Sequence, residues 1–94
     1  MKTRYSAEVA SLIRNLHPEV KSLVRKAIRD LLDNPFLGHE LHMELSGFRS
    51  YRLKGYRVIY QINDHEGFLD IHYVGRRRDV YESFQSLLAE KKSG

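Results

Sequence analysis

The spacing of apolar residues predicts two helices in the first third of the chain. From residue 9 to residue 32, apolar side chains recur at intervals of three and four, which is the period of amphipathic helices. Pro18 divides this stretch, because proline suits the first turn of a helix and disrupts its interior. Ser6 is the predicted N-cap of the first helix, and Pro35 ends the second helix at the residue before it. Residues 2–6 are predicted to form a short strand ahead of the helices.

From Phe48 onward the apolar period changes to two, which predicts β strands. Alternating residues flank Lys54-Gly55, and this pattern indicates a hairpin with a two-residue turn. A third strand follows the turn at residues 63–67, and an amphipathic helix begins at Val80 and ends near residues 91–94. The predicted order is β-α-α-β-β-β-α. This is an α+β fold, with an antiparallel sheet, an N-terminal helical hairpin packed on one face, and a C-terminal helix.

Strict alternation assigns the strand side chains to two faces of the predicted sheet. The face expected to pack on the helices contains Tyr51, Leu53, Tyr56, Val58, Tyr60, Leu69, Ile71 and Tyr73. The opposite face is expected to present Ser50, Arg52, Arg57, Ile59, Gln61, His72 and Val74. That face is a mixed polar surface, and we expect it to be open to a ligand. The connection from Phe36 to Gly47 is expected to be irregular.

Two short basic stretches indicate what the ligand is. The predicted turn places Arg52 directly opposite Arg57 on the polar face, and like charges in that position destabilise a sheet. Guanidinium groups bind phosphate through paired hydrogen bonds and stay charged, so the pair favours an anionic ligand. Three more arginines follow at positions 76–78, and no acidic residue occurs from residue 45 to residue 63. We therefore predict a binding surface for a nucleic-acid backbone.

Length and composition restrict the class of protein. Ninety-four residues form one domain, spanning 1–94, and a formal net charge of +4 favours polyanionic partners. The chain has no cysteine, which excludes disulfides and thiolate metal sites and is consistent with a cytoplasmic protein. No apolar run approaches the roughly 20 residues that span a bilayer, so we expect no membrane association. The histidines show no His-x-x-x-His pair on a helix, and we expect no metal site.

Several segments in the second half of the chain resemble a known family. They are Leu45–Phe48, Tyr51–Leu53, Gly55–Tyr60, Val74–Arg77 and Asp79–Tyr81. Together with the paired helices they resemble the RelE/ParE toxin superfamily of type II toxin–antitoxin systems, over nearly the whole chain. The RelE branch of that superfamily consists of ribosome-dependent mRNA endonucleases, whereas the ParE branch targets DNA gyrase. This chain is more similar to the RelE branch.

The resemblance implies a metal-free reaction without a cofactor, in which an RNA 2′-hydroxyl attacks its own 3′ phosphodiester. The catalytic positions are expected to be Arg52, Arg57, Arg77 and Tyr81. Further RNA contacts are expected from Arg49, Ser50, Lys54, His72, Arg76 and Arg78. Where the RelE pattern has two strand lysines this chain has Ser50 and Arg52, so neither position supplies a lysine to accept the hydroxyl proton. Arginine cannot replace it, because it is essentially never deprotonated in proteins.

Some of these residues have a purely structural interpretation as well. Arg76 and Arg78 are also consistent with a solvated loop, and His72 with a half-buried strand residue. Tyr81 is consistent with a core aromatic residue at the start of a helix. These alternatives stay open on the sequence alone.

The function implied by the resemblance is an mRNA endonuclease toxin that inhibits translation. Its partners would be a cognate antitoxin, the ribosome and mRNA, and it would be a monomer or part of a toxin–antitoxin hetero-oligomer. We expect the antitoxin to cover the basic face and to be able to displace the C-terminal helix from Val80 to Glu90. The alternatives are a ParE-like gyrase toxin, an inactive module that only binds antitoxin, and an RNA-binding domain without catalysis.

Overall fold

The computed structural model describes residues 1–93. Within them, five strands form one sheet and three helices pack on its two faces. The elements are β1 (Lys2–Tyr5), α1 (Ala7–Arg14), α2 (Pro18–Asp33), β2 (His39–Glu40), β3 (Arg49–Leu53), β4 (Tyr56–Asn63), β5 (Phe68–Arg76) and α3 (Val80–Ser93). Two 3₁₀ turns, Pro35–Leu37 and Met43–Leu45, flank β2. The predicted helices and hairpin are confirmed, while Gly94, named in the prediction for the last helix, lies outside the described residues.

Local chemistry explains where the first two helices begin and end. The Ser6 hydroxyl accepts a hydrogen bond from the backbone N–H of Val9 at 3.2 Å, which confirms it as the N-cap of α1. Pro18 is the first residue of α2. Asn34 ends α2 in an extended conformation, and its side chain caps the following 3₁₀ turn through the N–H of Phe36. The predicted α2 boundaries are therefore confirmed.

The sheet is mixed rather than purely antiparallel. Its strand order is β1-β5-β4-β3-β2, and β1 pairs with β5 in parallel, from Lys2 opposite Phe68 to Tyr5 opposite Ile71. All other neighbours are antiparallel. The prediction of an antiparallel sheet was wrong in this respect, because the apolar pattern of a four-residue strand carries no information about its direction.

The β3–β4 hairpin has the predicted register. Leu53 pairs with Tyr56 and Arg52 with Arg57, across a turn in which Gly55 has a φ of +72°. A residue with a Cβ is disfavoured at that φ, so glycine is the residue that makes this tight turn accessible. The two arginines therefore lie directly opposite each other, as predicted.

A β-bulge reverses the faces of the last part of β5. Tyr60 pairs with Ile71 but Ile59 pairs with Tyr73, so His72 is an extra residue in the ladder. Beyond the bulge, Val74 faces α1 and α2 and Tyr73 faces α3, which is the opposite of the predicted assignment. Strict alternation cannot anticipate this, because one inserted residue moves all later side chains to the other face.

Two apolar clusters cover the two faces of the sheet. The larger cluster lies under α1 and α2, and its buried residues are Val9, Val24, Ala27, Leu31, Leu53, Val58, Tyr60, Leu69, Ile71 and Val74. The smaller cluster lies under α3 and consists of Leu45, Ile59, Val80 and Phe84. The face expected to be open is therefore partly covered by α3, because the apolar side of that helix packs against Ile59. No helix within residues 1–93 combines the length and apolar character needed to cross a bilayer.

The Tyr60 hydroxyl connects the sheet to the segment that follows α2. It donates a hydrogen bond to the Pro35 carbonyl at 2.6 Å and accepts one from the Gly38 N–H at 3.0 Å. Burial raises the pKa of this hydroxyl, so it stays protonated and able to donate. A Cβ at position 38 would lie 2.8 Å from the Ser50 carbonyl oxygen, so the close approach requires glycine. These contacts fix the chain at the entrance to β2.

Replacing Tyr60 with phenylalanine should destabilise the fold without changing its core volume. Tyr60→Phe leaves the buried Gly38 N–H without its acceptor, and we expect the free energy of unfolding to fall by about 1–3 kcal/mol. Urea denaturation followed by circular dichroism measures this change. Tyr56→Phe is the matched control, since the described residues provide no hydrogen bond to the Tyr56 hydroxyl. Equal losses for the two variants would contradict the assignment.

Candidate nucleic-acid site

A buried serine holds two of the predicted catalytic residues together. Ser50, in β3, is fully buried, and its Oγ accepts hydrogen bonds from Arg57 Nη1 at 3.3 Å and from the Tyr81 hydroxyl at 3.2 Å. The Arg57 guanidinium carbon lies 5.8 Å from the centre of the Tyr81 ring, within range of a cation–π interaction. We call these three residues the Ser50 cluster. They come from β3, β4 and the start of α3, so packing of α3 on the sheet is needed to assemble them.

The strand register explains how Arg57 tolerates the arginine opposite it. Arg52 is its direct partner across the hairpin, but the Arg57 side chain extends diagonally to Ser50, two residues away along β3. Arg52 is exposed to solvent. The two charges thus share one face of the hairpin, with one guanidinium anchored by hydrogen bonding and the other exposed. This arrangement leaves two cations available to an anion at the surface.

The segment that carries Arg76, Arg77 and Arg78, between the end of β5 and α3, contacts the same hairpin. The backbone N–H of Arg77 donates to the carbonyl of Gly55 at 3.0 Å, so the loop rests on the β3–β4 turn. Gly55 and the three loop arginines line an open groove, which we call the basic groove: Gly55, Arg76, Arg77 and Arg78. Lys54 is exposed on the turn itself. The predicted residues Lys54 and Arg76–Arg78 therefore lie next to one another, although their sequence positions are more than 20 residues apart.

Arg49 has a different environment from the other predicted RNA contacts. It pairs with Tyr60 in the ladder, which puts it on the face opposite to Arg57. Its guanidinium donates to the Gly38 carbonyl at 2.7 Å and to the Glu40 carboxylate at 3.3 Å. It also lies over the Phe36 ring, at 5.3 Å. Through these contacts Arg49 holds the segment around β2 in place. Arg49 is therefore not assigned to the RNA site.

His72 also has structural contacts on the α3 side of the sheet. Its Nε2 bonds to Gln61 Oε1 at 2.8 Å, and the Gln61 amide in turn donates to the Gly47 carbonyl at 3.3 Å, which assigns the proton to Nε2 of His72. The His72 ring meets Phe48 edge-on at 5.0 Å. Burial lowers its pKa, against the opposing attraction of Asp70. These contacts match the interpretation of His72 as a half-buried structural residue. His72 is therefore not assigned to the RNA site.

One residue next to the site is not among the site residues predicted from the sequence. His39, in β2, pairs directly with Ser50. It also lines an open groove beside Tyr81, which we call the Tyr81 groove; its lining is His39, Glu40, Leu41, His42, Leu45 and Tyr81. A strand of two residues has no recognisable period, and its pairing partner is a property of the fold. Only the sheet topology could have identified His39 as a neighbour of the site.

Comparison with known families identifies the class of protein. The sequence profile described as "ParE toxin of type II toxin–antitoxin system, parDE" matches residues 3–81. The chain therefore belongs to this toxin family, within the RelE/ParE superfamily that its motifs resemble. A search of curated proteins found no significant match.

Solved structures with this fold come from several toxin–antitoxin systems. A chain of the toxin–antitoxin complex RelBE2 from Mycobacterium tuberculosis is 29% identical, with a TM-score of 0.74, covering 81% of this chain and 96% of that one. A mutant of the Escherichia coli toxin RelE in the free state is 17% identical, with a TM-score of 0.76 and coverages of 95% and 94%. The YoeB/ParE toxin from Agrobacterium tumefaciens is 16% identical, with a TM-score of 0.70 and coverages of 82% and 99%. The last two likenesses concern the fold.

The lowered pKa of His72 predicts a loss of stability in mild acid. Because the folded state disfavours the imidazolium form, its contribution to stability is fully present above the ordinary value of 6.5 and is lost as the pH falls below it. We expect the free energy of unfolding to decrease between about pH 7 and about pH 5.5, and to decrease less in His72→Gln. Urea titrations across this range test the slope. His65→Gln, at an exposed turn position, should retain the wild-type slope; if it flattens the curve equally, His72 is not the responsible group.

The shared acceptor in the Ser50 cluster predicts energetic coupling between two side chains. Ser50→Ala and Tyr81→Phe should each lower the free energy of unfolding by about 0.5–1.5 kcal/mol, because each removes part of the same hydrogen bond. In a double-mutant cycle, the combined loss should be smaller than the sum by at least about 0.5 kcal/mol. Ser22→Ala, on the exposed side of α2, should be additive with Tyr81→Phe. If Ser50→Ala and Tyr81→Phe are also additive, the hydrogen bond between these two side chains does not contribute to the free energy of unfolding.

Proposed function

We propose that the protein is a toxin that cuts mRNA on the ribosome, as an endonuclease of the RelE type. The observation that carries this proposal is the Ser50 cluster, which holds the Arg57 guanidinium in place before any substrate binds. Arg52 lies opposite Arg57, and the loop carrying Arg77 is attached to the same hairpin turn. A preorganised guanidinium of this kind is suited to stabilise a charged phosphorane, and the exposed Arg52 and Arg77 side chains add charge beside it.

The proposed reaction is an attack within the RNA strand. The 2′-oxygen forms a bond to the adjacent phosphorus, and the bond from phosphorus to the 5′-oxygen breaks, leaving a 2′,3′-cyclic phosphate and a free 5′-hydroxyl. The 2′-hydroxyl must lose a proton and the departing oxygen must gain one. In this scheme Arg52, Arg57 and Arg77 stabilise the charge on the non-bridging oxygens. In the same scheme the half-buried ring of Tyr81 stacks on an adjacent base.

The basic groove has the chemistry of a surface that follows the RNA backbone. Lys54, Arg76 and Arg78 would contact flanking phosphates, which position the strand without reading its sequence. We propose three partners for this surface: mRNA, the ribosome, and a cognate antitoxin that competes for the basic face. The antitoxin is supported by the toxin–antitoxin complexes among the structures of this fold. A protein with these partners would act in the cytoplasm.

A ParE-like activity is the second candidate, and the family profile is the observation that favours it. In that case the protein would inhibit DNA gyrase without cutting RNA, and the arginines would serve only in binding. A catalytically inactive module that only binds antitoxin is a related candidate. An assay with purified gyrase distinguishes these two candidates, because only a gyrase inhibitor would stop the supercoiling of relaxed plasmid DNA.

Substitution of the paired arginines should abolish mRNA cleavage. With purified translating ribosomes, we expect wild-type protein to cut a message in the decoding site. Arg57→Ala and Arg52→Ala should each reduce the cleavage rate by at least about 100-fold, since each removes a charge from the transition state. Primer extension on the message, with a ribosome-free sample alongside, measures cleavage and its position. Arg14→Ala, on the exposed surface of α1, is the charge-matched control and should cut at the wild-type rate.

The alternatives predict distinct results in the same assay. An absence of cleavage by the wild-type protein, together with inhibition of gyrase, would replace the nuclease proposal with the ParE-like one. Cleavage without ribosomes would retain the nuclease chemistry and refute the ribosome as the partner.

A further inference from the structure

Arg52, Arg57 and Arg77 are assigned to the charge on the phosphate, Lys54 to flanking phosphates and Tyr81 to a base, so none of these residues is assigned to accept the 2′-hydroxyl proton. Arginine side chains stay protonated in proteins. The Ser50 Oγ already accepts two hydrogen bonds, and His72 is bonded to Gln61 on the α3 side of the sheet. The inference that follows rests on the proposed nuclease function and concerns this missing role.

His39 is directly opposite Ser50, the central residue of the Ser50 cluster, in the strand register. Directly opposed residues on antiparallel strands point to the same face, with Cβ atoms about 4.5–5.5 Å apart. His39 and Ser50 are such a pair, and Ser50 faces Arg57 and Tyr81. His39 is also exposed, and it shares the lining of the Tyr81 groove with Tyr81 itself. His39 is therefore exposed to solvent, and it lies on the same face of the sheet as Arg52 and Arg57.

The segment that carries His39 is held on both sides. On one side, the Gly38 N–H donates to the Tyr60 hydroxyl, and the Gly38 carbonyl accepts from Arg49. On the other side, the Glu40 carboxylate accepts from the same Arg49 guanidinium. Arg49 thus bridges the two neighbours of His39 and fixes the backbone between them. A catalytic side chain benefits from this support, because small displacements of a reacting group cause large losses of rate.

We propose that His39 is the general base of the cleavage reaction. The neutral imidazole takes the proton of the 2′-hydroxyl as the 2′-oxygen forms its bond to phosphorus. The bond from phosphorus to the 5′-oxygen breaks, and that oxygen takes a proton from water in the open groove. The imidazolium then returns its proton to solvent, so the protein is regenerated. Histidine suits this role because its ordinary pKa lies close to neutral pH.

The groups around His39 define what a pH profile would report. Its own strand carries Glu40, which is paired with Arg49 of β3. Arg57 of β4 and Tyr81 of α3 face it through their common contact with Ser50. His42 also lines the Tyr81 groove, but it has no strand pairing with Ser50. It is the competing histidine, and the experiment must distinguish the two.

Single-turnover cleavage on preformed ribosome complexes, measured from about pH 5.5 to about pH 8, tests the assignment. For the wild type we expect the rate to rise with pH as the base loses its proton. His39→Gln should reduce the rate by about 100-fold or more and remove the rising limb. Added imidazole should restore cleavage by His39→Ala, since the groove is open. His65→Gln should retain the wild-type rate and profile, and thermal unfolding should show that all variants are folded.

Each other result has a defined meaning. If the wild type cleaves and His39→Gln has the same rate and pH profile, the role of His39 is overturned and the nuclease proposal remains intact. Loss of the rising limb in His42→Gln but not in His39→Gln also overturns it and assigns the role to His42. If the wild type does not cleave at any pH, the nuclease proposal fails, and the role of His39 fails with it.

Discussion

The hydrogen bonds that converge on the Ser50 hydroxyl are the constraint on which the site depends. Three elements distant in sequence supply the three side chains, and their common contact is a buried oxygen at the boundary between sheet and helix. A buried hydroxyl with two donors has little freedom to reorient, so the position of each donor limits the other. The Arg57 guanidinium is consequently oriented by the position of α3, through Tyr81. The geometry of this cation thus depends on how α3 packs against the sheet.

Much of the fold could be predicted from the sequence, because the relevant forces act between near neighbours. The Ser6 cap, the break at Pro18 and the turn at Gly55 are local effects, and the structure has all three. The bulge at His72 and the parallel direction of β1 are different. They depend on pairing between strands distant in sequence, and no apolar period encodes that pairing. The errors in the predicted faces of Tyr73 and Val74 follow directly from the bulge.

Some residues of the candidate site could likewise be predicted from the sequence, whereas others could be identified only in the structure. The position of Arg52 opposite Arg57 follows from the turn length, so sequence alone was sufficient to predict it. Arg49 has the same residue type and the same strand, yet its contacts with Gly38 and Glu40 give it a structural role. The distinction depends on which face of the strand a neighbouring loop covers. For the same reason His39 appears beside the site only in the structure, because β2 is defined by its partner and not by its own sequence.

The pairing of Arg52 with Arg57 would also affect how the proposed ligands compete for the hairpin. Repulsion across the ladder raises the free energy of the unliganded protein, and any polyanion lying over it relieves that repulsion. Nucleic acid and an acidic protein segment would gain equally from this relief, so it cannot select between them. Dissolved salt would weaken both associations together. Under the proposed function, discrimination between them would have to come from uncharged contacts, such as stacking on Tyr81 or the burial of apolar side chains, which depend little on ionic strength.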